Sequence, residues 1–189
     1  MSQNPAEANP HTWIENYGDL LYQYALPRLN DPALAEDLVQ ETFLSGLKGL
    51  QSYKGEASEK NWLFAILKNK IIDHFRKKSR EASVVSMPDL ASVNEEWFDE
   101  KGGWIPQRTP REWPLLDQKE IRRIINWCKD HLKNLQQHVF VLKYLEDLDS
   151  DEICKVLNIS SSNYWVLIHR ARLQMRECVE KQGFNNGEV

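Results

Sequence analysis

Trp62, Ile66, Asn69, Asp73, Arg76 and Arg80 step along one side of segment 59–80 at helical spacing, with Lys77 and Lys78 beside them. An aromatic ring stands near one end, an amide and a carboxylate in the middle, and cations at the other end. Cations suit phosphates, Asn and Asp can address base edges, and an aromatic can stack on an unpaired base. Stacking contributes roughly 1–3 kcal/mol per base, comparable to the cost of unpairing one, so a few such contacts would hold strands apart. The residues also admit a plainer reading: Trp62 belongs to the core, and the Arg/Lys run complements the helix dipole.

A second pattern lies in the preceding segment. Asp37, Gln40, Glu41 and Leu44 fall at i, i+3, i+4 and i+7, while Ala35, Val39, Phe43, Gly46 and Leu50 recur on the other side as a core face. Three polar groups around one leucine form an apolar anchor with a polar rim, the composition of a small docking surface. Taken alone, they equally describe a solvated face with one stray leucine.

Enzymatic constellations are missing from the sequence. No glycine-rich phosphate loop, matched carboxylate pair, or Ser/His/Asp or Cys/His spacing stands out, and the five histidines are scattered. No catalytic residue, metal ligand or cofactor is therefore expected. Cys128, Cys154 and Cys178 are widely spaced on apolar helical stripes. Their odd number argues against a disulfide framework, and each is expected to act as a small buried hydrophobe.

The elements that position these residues are almost all helices. A first helix is expected over about 12–29, with Trp13, Tyr17, Leu20, Leu21 and Tyr24 inward and Pro27 kinking or ending it. Asp31 caps the second, with Pro32 at its first position. The second ends near Leu50, a loop containing Gly55 follows, and Ser58 caps the third, which buries Leu63, Phe64, Leu67, Ile71 and Phe75. Residues 81–116 are rich in Pro, Gly, Ser and acidic side chains, the character of a linker. Beyond it, Ile121, Ile124, Ile125, Cys128, Leu132 and Leu135 form one stripe, 137–145 a short helix, and Asp149 with Glu152 a capping box for the next. The turn Asn158-Ile159-Ser160 then leads to a last helix opened by Ser161 or Ser162, burying Tyr164, Leu167, Ile168, Ala171, Met175 and Cys178. Short helix, turn and longer helix make a helix-turn-helix, whose outward residues would be Ser162, Asn163, Trp165, Val166, His169, Arg170, Arg172 and Arg176.

Composition agrees with a folded, all-α protein of two small helical domains joined by an irregular acidic linker. The 189 residues are 41% hydrophobic and 28% charged, with net charge −4. The charge alternates: −6 over 1–47, +6 over 48–80, −5 over 81–117 and +1 over 118–189. Salt screens charges beyond about 10 Å, so each segment presents its own field to its own partner. No apolar run approaches the roughly 20 residues of a membrane span, and the polar first twelve residues lack a signal core, so no membrane insertion and a cytoplasmic location are expected.

Residues 14–80 and 117–181 together resemble the extracytoplasmic-function (ECF) group of sigma-70 family RNA polymerase sigma factors. The resemblance rests on Ala35-Glu36-Asp37-Leu38-Val39-Gln40-Glu41-Thr42-Phe43, on Trp62-Leu63 with Asn69, Asp73 and Arg76, and on Asp151-Glu152-Ile153-Cys154 through His169-Arg170-Ala171-Arg172. It implies a region 2-like domain over 1–80, an acidic linker over 81–116 and a region 4-like helix-turn-helix domain over 117–189. It implies that Asp37, Gln40, Glu41 and Leu44 grip the β′ clamp coiled coil of core polymerase. Tyr53, Lys54, Trp62, Asn69, Asp73, Arg76, Lys77 and Arg80 would melt and read the promoter −10 element. Ser162, Asn163, Trp165, Val166, His169, Arg170 and Arg172 would meet the −35 element. The linker would thread a basic channel of polymerase, the β subunit would also be touched, and an anti-sigma factor would be a further partner. Trp165, Val166 and Leu167 depart from the basic and small polar residues usual in the middle of that last helix. The competing reading is a two-domain helix-turn-helix regulator acting without polymerase, which would need neither the Leu44 face nor Trp62.

Overall fold

The computed structural model describes residues 8–81 and 117–185, with side chains to residue 182. Apart from Glu81, the expected linker lies outside the described residues. Among the described residues all regular structure is helical. The chain divides into two compact units, Met1–Lys78 and Ser79–Val189, the division falling inside the third α-helix. Each unit is described by itself.

The first unit is built from α1 (Trp13–Leu29), α2 (Pro32–Gly49) and α3 (Glu59–Glu81). Pro27 lies within the last turn of α1, where it removes a single i→i−4 hydrogen bond and only two further residues follow it in the helix. The helix therefore runs on to Leu29 and stops at Asn30, whose left-handed backbone (φ 53°) returns its N–H to the Leu26 carbonyl at 2.9 Å. Asp31 then accepts from the Leu34 N–H at 3.1 Å, with Pro32 at the first helical position. Ser58 accepts from the Asn61 N–H at 3.3 Å and opens α3. Trp13, Leu21, Ala25, Ala35, Leu38, Val39, Leu63, Leu67, Ile71 and Phe75 form the buried core. Leu20, expected inward, is exposed, and Phe43 and Leu50 are only half-buried, their places in α2 taken by Leu38 and Thr42. Buried Thr42 satisfies its hydroxyl on the Leu38 carbonyl at 2.7 Å.

The second unit holds α4 (Gln118–Asp130), α5 (Asn134–Tyr144), α6 (Ser150–Leu157) and α7 (Ser161–Asn185). The stripe read from Ile121 to Leu135 is broken: α4 stops at Asp130, Leu135 belongs to α5, and Ile125 is exposed. The capping box forms as expected, with the Glu152 N–H on Asp149 Oδ1 at 2.8 Å and Glu152 Oε2 accepting from the Asp149 N–H. Asn158 (φ 51°) ends α6 in the left-handed region. The cap of α7 is Ser160 rather than Ser161 or Ser162, its hydroxyl accepting from the Asn163 N–H at 3.2 Å.

One expectation is overturned here. Cys128 and Cys178 do not act as two separate hydrophobes; they form a disulfide joining α4 to α7, with Cα atoms 5.7 Å apart. Cys128 sits in a core cluster with Ile124, Leu132, Ala171 and Met175, and Cys178 packs against it. The two apolar stripes face one another, and that contact brings together sulfurs 50 residues apart in sequence. The odd cysteine is the free Cys154, half-buried on α6.

Candidate functional site

On α2 the core-facing and outward-facing stripes separate cleanly. Gly46 lies so close to the Trp13 ring that a Cβ there would stand 2.8 Å from Trp13 Cζ3 and 3.0 Å from Leu63 Cδ2. This approach seats α2, and the opposite side of the helix faces outward. Asp37, Gln40, Glu41 and Leu44 are all exposed there, as expected. Leu44 is 56% exposed, and Leu47, one helical step further, is 50% exposed. Leu47 doubles the apolar anchor; its +3 spacing from Leu44 was the signal in the sequence. Lys70 of α3 reaches Glu41 with an ion pair of 3.1 Å, and Glu41 stays exposed beside Asp37 and Gln40 around the leucines.

A second surface lies on α3 and the loop before it. Glu59, in the first turn of α3, accepts from Trp13 Nε1 at 3.1 Å, from the Tyr17 hydroxyl at 3.3 Å and from the Asn9 N–H. Burial first, and then the Glu59 charge and hydrogen bond, hold the Tyr17 phenol above its usual pKa. Glu59 is thus the anchor of this corner. Trp62 packs edge-on to Trp13, centroids 5.9 Å apart, and tilted against Tyr53 at 4.8 Å. Trp62 is half-buried in this aromatic cluster, so it is neither a full core residue nor fully exposed. Tyr53 donates its hydroxyl to the Ala57 carbonyl and so closes the loop, whose Gly55 adopts a φ of 72° that suits glycine. Lys54 points to solvent.

Further along α3, the exposed line is Asn61, Ala65, Asn69, Asp73, Lys77 and Arg80, with Trp62 and Ile66 on its half-buried shoulder. Asn61 and Ala65 extend this line toward the start of α3 and stand outside the set read from the sequence. Arg76 pairs with Asp73, which offsets part of its charge. The face therefore grades from an aromatic shoulder through Asn69 to the Lys77, Lys78 and Arg80 cluster.

A third surface is formed by the second unit's helix-turn-helix, α6 and α7. Ser162 is exposed and Trp165 is 45% exposed; Asn163, His169, Arg170 and Arg172 are half-buried. Val166, expected on the outward side, is 6% exposed and belongs to the core. Three successive residues, Val166, Leu167 and Ile168, are buried together, so the helix is enclosed over a wider arc than one stripe, and Val166 is withdrawn from the outward set. Trp165 lies edge-on to Tyr164 and His169, at 5.2 and 5.9 Å. Burial, with the neighbouring Arg172, lowers the His169 pKa below the ordinary imidazole value. The Asn163 side-chain oxygen is buried without a hydrogen-bond partner in the protein. Among the described residues, no group of His, Cys, Asp and Glu is placed to hold a metal, and no helix is long and apolar enough to cross a membrane.

Comparison with known proteins places the chain in a family. The family Sigma-70 region 2 matches residues 13–81, and the family Sigma-70, region 4 matches 122–175. A probable RNA polymerase sigma factor of Haemophilus influenzae is 39% identical over 163 residues, 84% of each chain. The chain belongs to the sigma-70 family of RNA polymerase sigma factors. Within that family it is similar to the ECF RNA polymerase sigma factor SigM of Bacillus subtilis, 28% identical over 85% of this chain and 88% of that one. The sigma factor RpoE of Bartonella quintana, solved in complex with the anti-sigma factor NepR, aligns over 90% of this chain and 96% of its own at 18% identity, with a TM-score of 0.43. The region 2 match of this sigma factor covers α1 to α3; the region 4 match runs from the start of α4 into α7.

Proposed function

We propose that this sigma factor docks on core polymerase through the α2 face and reads promoter DNA with α3 and the helix-turn-helix. The observation that carries this reading is the coexistence in one small unit of two outward faces of opposite character. One is an anchor of Leu44 and Leu47 rimmed by Asp37, Gln40 and Glu41; the other is the aromatic-to-cationic line of α3. A duplex-binding regulator needs only the second.

The α2 anchor has the form of a hot spot: apolar side chains at the centre, hydrogen-bonding groups around them. The β′ clamp coiled coil is the partner it suits, with the β subunit alongside. In the first unit, Tyr53, Lys54, Trp62 and Asn69 form the part that captures unpaired −10 bases, and Asp73, Arg76, Lys77 and Arg80 follow the strand. In the second, Ser162, Asn163, Trp165, His169, Arg170 and Arg172 meet the −35 element, with Val166 supporting them from inside. The functional domains are 1–80 and 117–189, and 81–116 is the acidic linker that follows a polymerase channel suited to RNA. The bond-forming chemistry belongs to polymerase, so the protein is not an enzyme and works in the cytoplasm. An anti-sigma factor is its proposed inhibitor.

The test is run-off transcription by purified core polymerase on a promoter library. Added protein yields promoter-directed RNA, and the selected sequences give its −35 and −10 preferences. Tight duplex binding without polymerase binding or directed RNA would replace this reading with that of an independent regulator.

A further inference from the structure

The Cys128–Cys178 disulfide opens onto a cavity of about 310 Å³, and both half-cystines line it. A volume near 300 Å³ is at the lower end of small-molecule sites. The remaining polar wall includes His131, Lys133, Glu177 and Lys181, two fixed cations against one carboxylate. His131 is held in place: its ring stacks on Trp127 with centroids 3.8 Å apart, and its Nδ1 donates to the Trp127 carbonyl at 2.7 Å. The two sulfurs are not equivalent. Cys128 is 2% exposed within the core cluster, whereas Cys178 is half-buried at its margin.

We propose that this cavity is a thiol-exchange site, in which a small anionic thiol enters beside Lys133 and Lys181 and attacks the sulfur of Cys178. The thiolate forms a bond to Cys178 Sγ as the Cys178–Cys128 bond breaks, and the electron pair leaves on Cys128, which then takes a proton from water. A second thiolate attacks the small-molecule sulfur of the mixed disulfide and releases Cys178, which is protonated in turn. Two small thiols are oxidised to one disulfide, and the protein disulfide is reduced to two thiols. The exchange follows the general rule that access and charge at the attacked sulfur select the route. It removes the covalent link between α4 and α7.

The experiment uses the full chain carrying Cys154→Ser, so that only the paired cysteines report. Two probes are compared: glutathione, a net anionic tripeptide thiol, and uncharged 2-mercaptoethanol. Reduction by glutathione should rise linearly with its concentration, and acid-quenched peptides should carry the mixed disulfide on Cys178. Lys133→Glu with Lys181→Glu, both at exposed positions, should slow the glutathione reaction on the order of tenfold and change the 2-mercaptoethanol rate by less than about twofold. Equal slowing of both probes would overturn the proposal. So would an adduct on Cys128, or a rate that levels off independently of thiol concentration, since that marks global unfolding as the step that exposes the bond.

Discussion

Gly46→Ala sets two opposed effects against each other in α2, and their sizes decide the sign. In a helix interior alanine is favoured over glycine by about 1 kcal/mol. Against this, the new methyl would stand 2.8 Å from Trp13 Cζ3, 3.0 Å from Leu63 Cδ2 and 3.2 Å from Trp13 Cη2, where ordinary contact begins near 3.4 Å. Trp13 and Leu63 are both fully buried, and the Trp13 ring is tethered through Nε1 to Glu59 at 3.1 Å. Neither can swing aside, so α2 itself must move by about half an ångström; overpacking of this kind costs about 1–3 kcal/mol. The net expectation is a loss of up to about 2 kcal/mol. Gly18→Ala is the internal control, because a Cβ on this α1 residue would meet nothing within 4 Å. It should gain up to about 1 kcal/mol from propensity alone. The two variants should therefore shift the first unit's unfolding in opposite directions, separating its midpoints by on the order of 10 °C. Amide hydrogen exchange of α1 to α3 in the full chain reads this unit apart from the second. Gly46→Ala protected as well as or better than the parent would refute the steric account. The same displacement carries the Leu44 face with it, so core-polymerase affinity should fall for Gly46→Ala and hold for Gly18→Ala.

Leu44→Asp should leave stability within about 0.5 kcal/mol, since the side chain is exposed, yet weaken core-polymerase binding at least about tenfold through lost apolar burial and a desolvated carboxylate; titration of labelled protein with core enzyme checks it. Arg80→Ala should lower the salt slope of promoter duplex binding by about 0.9, and Arg76→Ala by less, because Asp73 already offsets part of its charge; binding isotherms across a salt series measure both. Trp62→Ala should impair strand opening, read with a fluorescent base in the −10 element, more than duplex binding, and should also loosen the Tyr53 loop through the lost ring contact. His169 in the folded protein resists protonation, its pKa lying below the 6.5 of an open imidazole. The unfolded state therefore binds more protons as pH falls through 6.5, so stability declines there. His169→Gln should flatten that acid limb in a pH series of denaturant unfolding.

Local signals in the sequence were strong where side chains act on nearby backbone. Asp31-Pro32, Ser58 and the Asp149/Glu152 box announce helix starts because capping is chemistry within four residues. The exposed face of α2 was legible from its polar spacing, whereas its core face was legible only at Ala35, Val39 and Gly46, with Leu38 and Thr42 buried in place of Phe43 and Leu50. What escaped depends on contacts between distant segments. The Cys128–Cys178 bond follows from two stripes meeting 50 residues apart, and counting three cysteines pointed the other way. Val166 was assigned outward on the assumption of a narrow buried stripe, whereas neighbours enclose a wide arc of α7. Glu59 reads as a helix-start acid until folding brings Trp13 and Tyr17 to it. The break of α4 before Leu132 was hidden because apolar spacing continues through the bend.

Asn30 and Asp31 alone connect α1 to α2, one finishing a helix in the left-handed region and the other starting the next. Such a joint has no slack. One inserted residue would leave either the Leu26 carbonyl or the Leu34 N–H without its partner and would rotate the second helix about its own axis. The exposed leucines of α2, proposed to meet polymerase, are thus aimed by a corner on the far end of their helix, and a change in chain length there would misdirect them while leaving both side chains intact.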